Sequence, residues 1–245
     1  MLFPATDIPR GPRAGGRSVL ESAFALLGAI EQAEGAGVTR LAAECGLPKT
    51  TAHRLLAQLS SLGAVERSRG GYRLGARVFQ LGHGWQPHPG LRAAARDPMR
   101  QLAAATGATV TVSVLRNGRE LIVDWLPGRG GSPVALRRGA TWPWYTAAGK
   151  VLLASARSGQ SAGATPPWWS REAEAIRDRG VAFDREDVVS GVCCAAVPLY
   201  GAPGAPVAAL CVITDPAHRL DRLADAARRA GGAVSAALRG GRAGT

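Results

Sequence analysis

Between residues 17 and 75 the apolar positions recur at helical spacing and are interrupted by Gly and Pro at short intervals. Ser18 with Glu21 three residues on is a capping box, in which hydroxyl and carboxylate each take up a backbone N–H that a helix start leaves unpaired. Behind it, Leu20, Ala23, Phe24, Leu27 and Ile30 make one apolar stripe that stops at Gly35 and Gly37. Thr39 is expected to cap a short second helix with Leu41, Ala42 and Cys45 inward, closed by Gly46, a residue that tolerates positive φ. Pro48 opens a third helix from its first turn, where a missing N–H costs nothing, and Ala52, Leu55, Leu56 and Leu59 carry the stripe to Gly63. Residues 64–67 and 72–74, joined by Ser68-Arg69-Gly70-Gly71, predict a two-stranded ribbon with a tight turn and a basic tip.

Residues 76–86 fit a linking helix through Val78, Phe79, Leu81 and Gly82, which Pro87-His88-Pro89-Gly90 breaks, placing a domain boundary near residue 90. A helical stretch over residues 91–106 follows, interrupted at Asp97-Pro98 and closed by Gly107. Residues 109–114 alternate strictly, Asn117-Gly118 is a strong hairpin signal, and Leu121, Val123 and Trp125 alternate on the return. Further helices are expected at residues 146–156, 171–179 and 220–238, and strands at 193–199 and 207–213. The whole reads as α+β.

Composition adds less than it first promises. The 245 residues carry 30 basic and 18 acidic side chains, a formal net charge of +12, and all the basic ones except Lys49 and Lys150 are Arg. Such a balance favours polyanions. Residues 1–87, however, hold ten basic and six acidic groups, and residues 88–245 twenty and twelve, so the excess is not concentrated in the helical N-terminal part. Residues 1–16, with Pro4, Pro9, Pro12, Arg10 and Arg13, read as a disordered tail without the apolar run of a signal peptide. Residues 188–214 are nearly uncharged, but Pro198, Gly201, Pro203, Gly204 and Pro206 make them two strands and a turn and not a membrane helix. Four cysteines, Cys45, Cys193, Cys194 and Cys211, have neither zinc-site nor disulfide spacing. A cytoplasmic protein with no cofactor, no metal and no membrane partner is expected.

Two short helices around Gly46-Leu47-Pro48, followed by a Gly-tipped basic ribbon, make a winged helix-turn-helix. With its stripe inward, the second of these helices presents Lys49, Thr50, Thr51, His53, Arg54 and Gln58, types that contact bases and phosphates. Arg69 at the ribbon tip is placed for the DNA backbone or the minor groove.

The run Gly46-Leu47-Pro48-Lys49-Thr50-Thr51-Ala52-His53-Arg54-Leu55-Leu56, the ribbon exit Tyr72-Arg73-Leu74-Gly75, the helix start Thr146-Ala147-Ala148-Gly149-Lys150, and Arg179-Gly180-Val181-Ala182-Phe183-Asp184 with Gly191-Val192-Cys193-Cys194 together resemble the IclR family of bacterial transcriptional regulators. That resemblance implies a DNA-binding regulator, of the repressor kind, with the winged helix-turn-helix over residues 17–75, a linker helix over 76–90 and a GAF-like α/β effector-binding and oligomerisation domain over 91–240. It implies a homodimer or tetramer on a palindromic double-stranded DNA operator, answering to a small organic, often acidic, effector, and Trp142, Trp144 and Tyr145 add an aromatic effector as a candidate. By position it assigns the effector site to Ala147, Ala148, Gly149, Asp184, Val192, Cys194, Cys211 and Ile213. Trp142-Pro143-Trp144-Tyr145 stands where the family has small residues, so Trp142 and Trp144 are candidate pocket walls, and Trp168-Trp169 a candidate cover.

An enzyme is the rival class, through Cys194 as nucleophile or Gly149-Lys150 as a phosphate loop. Trp144 and Val151 stand where such a loop needs Gly and Ser or Thr, and the four His bring no base motif to Cys194. No catalytic residue is assigned. A ligand-binding interaction module without DNA affinity, and a thiol redox sensor at Cys193-Cys194, are the other readings.

Overall fold

The computed structural model describes residues 17–33, 35–156, 165–201 and 204–240; the expected tail, residues 1–16, lies outside them. The chain falls into two compact units, one ending at Gln86 and the other beginning at Pro87.

In the first unit α1 (Val19–Gln32) starts on the expected capping box, with Glu21 N–H donating to the Ser18 hydroxyl at 3.1 Å and Ser18 N–H to the Glu21 carboxylate at 2.8 Å. Its inward face differs from the expected stripe. Ser22, Leu26 and Ile30 are buried, whereas Leu20 and Phe24 are 73% and 67% exposed. Apolar residues surround most of this helix, so periodicity leaves the inward arc open and packing on its neighbours selects it.

The second helix, α2 (Val38–Cys45), is capped by Gly37 and not by Thr39, and ends on Gly46 at φ +62° as expected. In α3 (Lys49–Ser61), Pro48 is itself the N-cap, one position earlier than expected, and Ala52, Leu55, Leu56 and Leu59 are buried. The strands β1 (Val65–Ser68) and β2 (Gly71–Leu74) pair antiparallel with Ser68 opposite Gly71, so Arg69-Gly70 alone makes the turn. Gly71 has another task. Tyr72 N–H donates to Ala36 O and Gly35 N–H to Tyr72 O, each at 3.1 Å, laying the α1–α2 connection along β2, and a Cβ on Gly71 would stand 2.2 Å from Ala36 O. The linking helix, α4 (Ala76–His83), buries none of its residues.

The second unit opens with α5 (Leu91–Thr106), which continues through Pro98 where an interruption was expected. Leu91, Ala95, Met99 and Leu102 all pack into the core, and that burial outweighs the bond lost at Pro98. The predicted hairpin is present as β3 (Thr109–Arg116) and β4 (Arg119–Leu126), turning at Asn117 and Gly118 with φ of +50° and +69°. Then come β5 (Thr141–Pro143), α6 (Ala147–Ala154), α7 (Trp169–Arg179), β6 (Ala182–Arg185), β7 (Cys193–Leu199), β8 (Ala208–Thr214) and α8 (Leu220–Gly240). The strands β5 and β6 were not foreseen, being too short for alternation to register.

Six strands form one antiparallel sheet in the order β5-β4-β3-β8-β7-β6. One face, with Val110, Val112, Val114, Leu210 and Val212, packs beneath α5 and α8; the other, with Leu115, Cys194, Ala196, Cys211 and Ile213, packs beneath α6 and α7. Both faces are thus covered, and even Thr109, Thr111 and Ser113 on the polar side of β3 are buried. Pro198 is tolerated in β7 because β6 pairs only with residues 193–196, so no neighbour needs its missing N–H. No helix among the described residues is long and apolar enough to cross a membrane.

Candidate functional site

Two surfaces collect the residues that the sequence singles out. On α3 the buried stripe turns Lys49, Thr50, His53, Arg54 and Gln58 fully outward and leaves Thr51 half-buried; Arg69 is exposed at the ribbon tip. Neighbouring cations are engaged elsewhere. Arg40 pairs with Glu44 at 2.8 Å, Arg73 with Glu66 at 2.8 Å, and Arg17 donates to Cys45 O. Lys49, Arg54 and Arg69 have no such partner among the described residues. A concave surface beside α3, lined by His53, Ala57, Ser60, Glu66, Arg67 and Tyr72, joins the helix to the ribbon. Arg67, held 5.8 Å above the Tyr72 ring, is a cation on this surface that sequence reasoning passed over, since strand position does not reveal exposure.

The second surface is internal. On the α6 side of the sheet lies a cavity of about 40 Å³. Trp142, Ala147, Ala148, Asp184, Val192, Cys194, Cys211 and Ile213, all candidates from the sequence, line it. Two candidates do not. Gly149 packs against the backbone of Trp144, where a Cβ would come within 2.4 Å of Trp144 O, and its N–H donates to the Thr146 hydroxyl that caps α6. Trp144 packs edge-to-face against Tyr145 and Trp169 and at a tilt against Trp168, its ring centroid 4.9 Å from that of Trp169. Neither Trp168 nor Trp169 lines the cavity, and residues 157–164 lie outside the described residues.

Sequence reasoning missed the cavity's most polar wall. Glu120, 4% exposed, accepts hydrogen bonds from the Ser113 hydroxyl at 2.6 Å and the Thr146 hydroxyl at 2.5 Å. Burial pushes its carboxyl above the ordinary carboxylate range, against the pull of those two hydroxyls. Asp184 is likewise raised by burial, although its carboxylate accepts the Asp187 N–H at 2.8 Å. Lys150, buried just behind, reaches Asp187 at 2.8 Å, Glu172 at 3.3 Å and Phe183 O at 3.2 Å, tying α6 to α7 and to the loop after β6. Burial works against its ammonium, but Asp187 and Glu172 hold it above lysine's ordinary value.

The chemistry of a nucleophile is poorly served here. Adjacent Cys193 and Cys194 point to opposite faces of the sheet. A hydrogen bond with Cys194 together with burial holds the Cys211 thiol well above its usual value, in the unreactive protonated form. No histidine lines the cavity, and no group of three or more His, Cys, Asp or Glu among the described residues is placed to hold a metal ion.

Comparison with known proteins agrees with this division. Residues 19–69 match the IclR helix-turn-helix domain, and residues 87–236 match the bacterial transcriptional regulator IclR C-terminal domain. The glycerol operon regulatory protein of Streptomyces coelicolor is 32% identical over 220 residues, covering 83% of this chain and 86% of that protein. The transcriptional repressor IclR of Escherichia coli is 26% identical over 226 residues, covering 84% and 82%. Among solved structures, an IclR homolog from Microbacterium hydrocarbonoxydans complexed with 4-hydroxybenzoate superposes with a TM-score of 0.80 at 20% identity, over 91% of this chain and 100% of that one.

Proposed function

This chain belongs to the IclR family of bacterial transcriptional regulators, and from that premise we propose how its two units divide the work. It is a DNA-binding regulator of the repressor kind whose hold on DNA answers to a small molecule. In our reading α3 enters the major groove, with Lys49, Thr50, Thr51, His53, Arg54 and Gln58 at base edges and phosphates and Arg69 on the backbone or minor groove beside it. One observation carries this assignment: the outward cations of α3 and the ribbon tip are unpaired while Arg40 and Arg73 are committed to carboxylates. Footprinting of the promoter beside its own gene, with titrations at several salt concentrations, tests it. The expected result is a protected palindrome and an affinity that falls steeply with salt; a flat response without protection refutes the assignment.

A palindrome needs two readers about one helical turn apart. Leu20 and Phe24 on α1, and Phe79 and Leu81 on α4, are large apolar side chains left exposed. We assign them to contact with a second copy, giving a homodimer or a tetramer built of such pairs. Light scattering of Phe24→Glu should then report dissociation together with weakened operator binding.

The cavity of the second unit takes the effector in this reading, as a small organic molecule. The Microbacterium relative, complexed with 4-hydroxybenzoate, is consistent with a ligand-binding role for the domain. A ligand that prefers one arrangement of paired units shifts operator affinity by its differential affinity for the two arrangements. No catalytic role is assigned, and a protein that acts on the chromosome is placed in the cytoplasm.

A further inference from the structure

Resting on the reading of the cavity as the effector site, we infer that residues 186–191 form its gate and that the Lys150–Asp187 ion pair is the latch that holds the gate shut. The reason begins with size. The cavity, at about 40 Å³, has room for a few water molecules, whereas pockets for organic ligands start at roughly 300 Å³. An organic molecule therefore enters only where part of the wall gives way.

Most of the wall is core. Ile122, Cys194, Cys211 and Ile213 stand in paired strands and Ala147 and Ala148 on α6; all are buried, and none moves without breaking ladder bonds or packing. Val188 and Val189 differ. They reach the cavity from a loop on which they are only half-buried, between exposed Asp187 and exposed Ser190. Val134 and Leu136, in the β4–β5 connection, are half-buried as well, but the chain beside them is fastened to β4. Gly139 N–H donates to Ile122 O and Ile122 N–H to Ala140 O, each at 2.9 Å, and Arg138 pairs with Asp124 at 2.7 Å.

The 186–191 loop is built to swing as a unit. Its ends are tied to each other, since Glu186 N–H donates to Val192 O at 3.1 Å and Gly191 N–H to the Glu186 carboxylate at 2.7 Å. Both ends lie at positive φ, +69° at Glu186 and +76° at Gly191. For Glu186 that conformation is disfavoured, and it persists only while surrounding contacts enforce it. Asp187 fastens the loop to α6, its carboxylate accepting from the Lys150 ammonium at 2.8 Å. Opening does not strand that buried ammonium, because Glu172 at 3.3 Å and Phe183 O at 3.2 Å remain with it. The cation is thus paired with the loop closed and with it open, as a two-state gate requires.

The cavity carries its own reporters, the thiols of Cys194 and Cys211. The test labels them with methyl methanethiosulfonate in full-length protein carrying Cys45→Ala and Cys193→Ala, and reads the rate by mass spectrometry. Each thiol gives its proton to solvent and, as thiolate, attacks the reagent's sulfenyl sulfur, forming a mixed disulfide and releasing methanesulfinate. Where the loop recloses faster than it is labelled, the rate follows the population of the open form. Asp187→Asn, at a half-exposed side chain, should raise that rate about tenfold and speed hydrogen exchange over residues 186–192. Glu172→Gln, which removes the other carboxylate of Lys150 but keeps the latch, should change the rate by less than about twofold. An unchanged rate in Asp187→Asn, equal acceleration in Glu172→Gln, or exchange that quickens over residues 134–136 in place of 186–192 overturns the gate. The reading of the cavity as effector site is tested apart from it. Complete labelling of Cys194 places an S-methyl group in the cavity and should shift operator affinity about tenfold in gel shifts. Unchanged affinity in labelled protein that still melts cooperatively removes the effector site and leaves the gate.

Discussion

The DNA-reading surface and the effector cavity are built in opposite ways. Six of the seven residues assigned to DNA lie on one 13-residue helix, five of them fully outward and Thr51 half-buried, so that most are replaceable with little effect on the core beneath. The cavity draws on β4, β5, α6, β6, β7 and β8, and its polar wall is buried and hydrogen-bonded into the fold. A surface reader can thus change specificity without changing stability. A buried sensor cannot, because the groups that meet the ligand also hold the sheet and α6 together.

The strongest test of that separation is Leu56→Ala. Leu56 is fully buried in the core of the first unit, and its truncation should cost about 2–5 kcal/mol. Operator binding in gel shifts should be lost while the ligand response of the second unit survives; loss of both would mean that the units do not fold independently. Next in size is Glu120→Ala, which leaves the Ser113 and Thr146 hydroxyls without their acceptor at a cost of about 1–3 kcal/mol, read from urea midpoints. Its counterpart, Arg54→Ala, should weaken operator binding by about 1–3 kcal/mol if Arg54 grips a guanine with both nitrogens, while stability stays within about 0.5 kcal/mol. An Arg54→Ala protein that is destabilised but binds DNA unchanged would invert the comparison.

Acidity sharpens it further. The carboxyl groups of Glu120 and Asp184 are raised by burial, so above the ordinary carboxylate range the folded state retains protons that the unfolded chain has released. Stability contributed by these groups is therefore fully present at low pH and declines as pH rises from that range toward their raised values. Unfolding midpoints of Glu120→Gln should decline less steeply over the same span than those of the unmodified protein. The smallest expected effect is that of Arg69→Ala, which should reduce the salt slope of operator binding by about one phosphate contact and leave base preference unchanged.

How much of this was legible in the sequence follows the same line. Ser18 with Glu21, Gly46 at positive φ, the stripe of α3 and the Asn117-Gly118 hairpin all appear where local rules put them. Thr39 and Pro48 shifted by a position or two, and Pro98 failed to stop α5 because burial of its neighbours opposed the local preference. The candidates that line the cavity came mostly from resemblance, whereas Glu120 carried no signal: a lone acid in a strand reads as solvent-facing until α6 is laid over it. Gly149 and Trp144 sit beside the cavity's elements yet turn to each other, a choice made by backbone packing.

The sequence by itself determined the α1 capping box, the Gly46 stop, the Asn117-Gly118 turn and the outward chemistry of α3, because these depend on interactions within a few residues. Only the tertiary structure decided which arc of α1 is inward, which faces of the vicinal cysteines diverge into separate cores, and that residues 120, 142, 184, 194 and 211 share one wall. Those outcomes depend on strand order and on what covers each face of the sheet, and side-chain alternation along a strand is the same whether water or a helix lies above it.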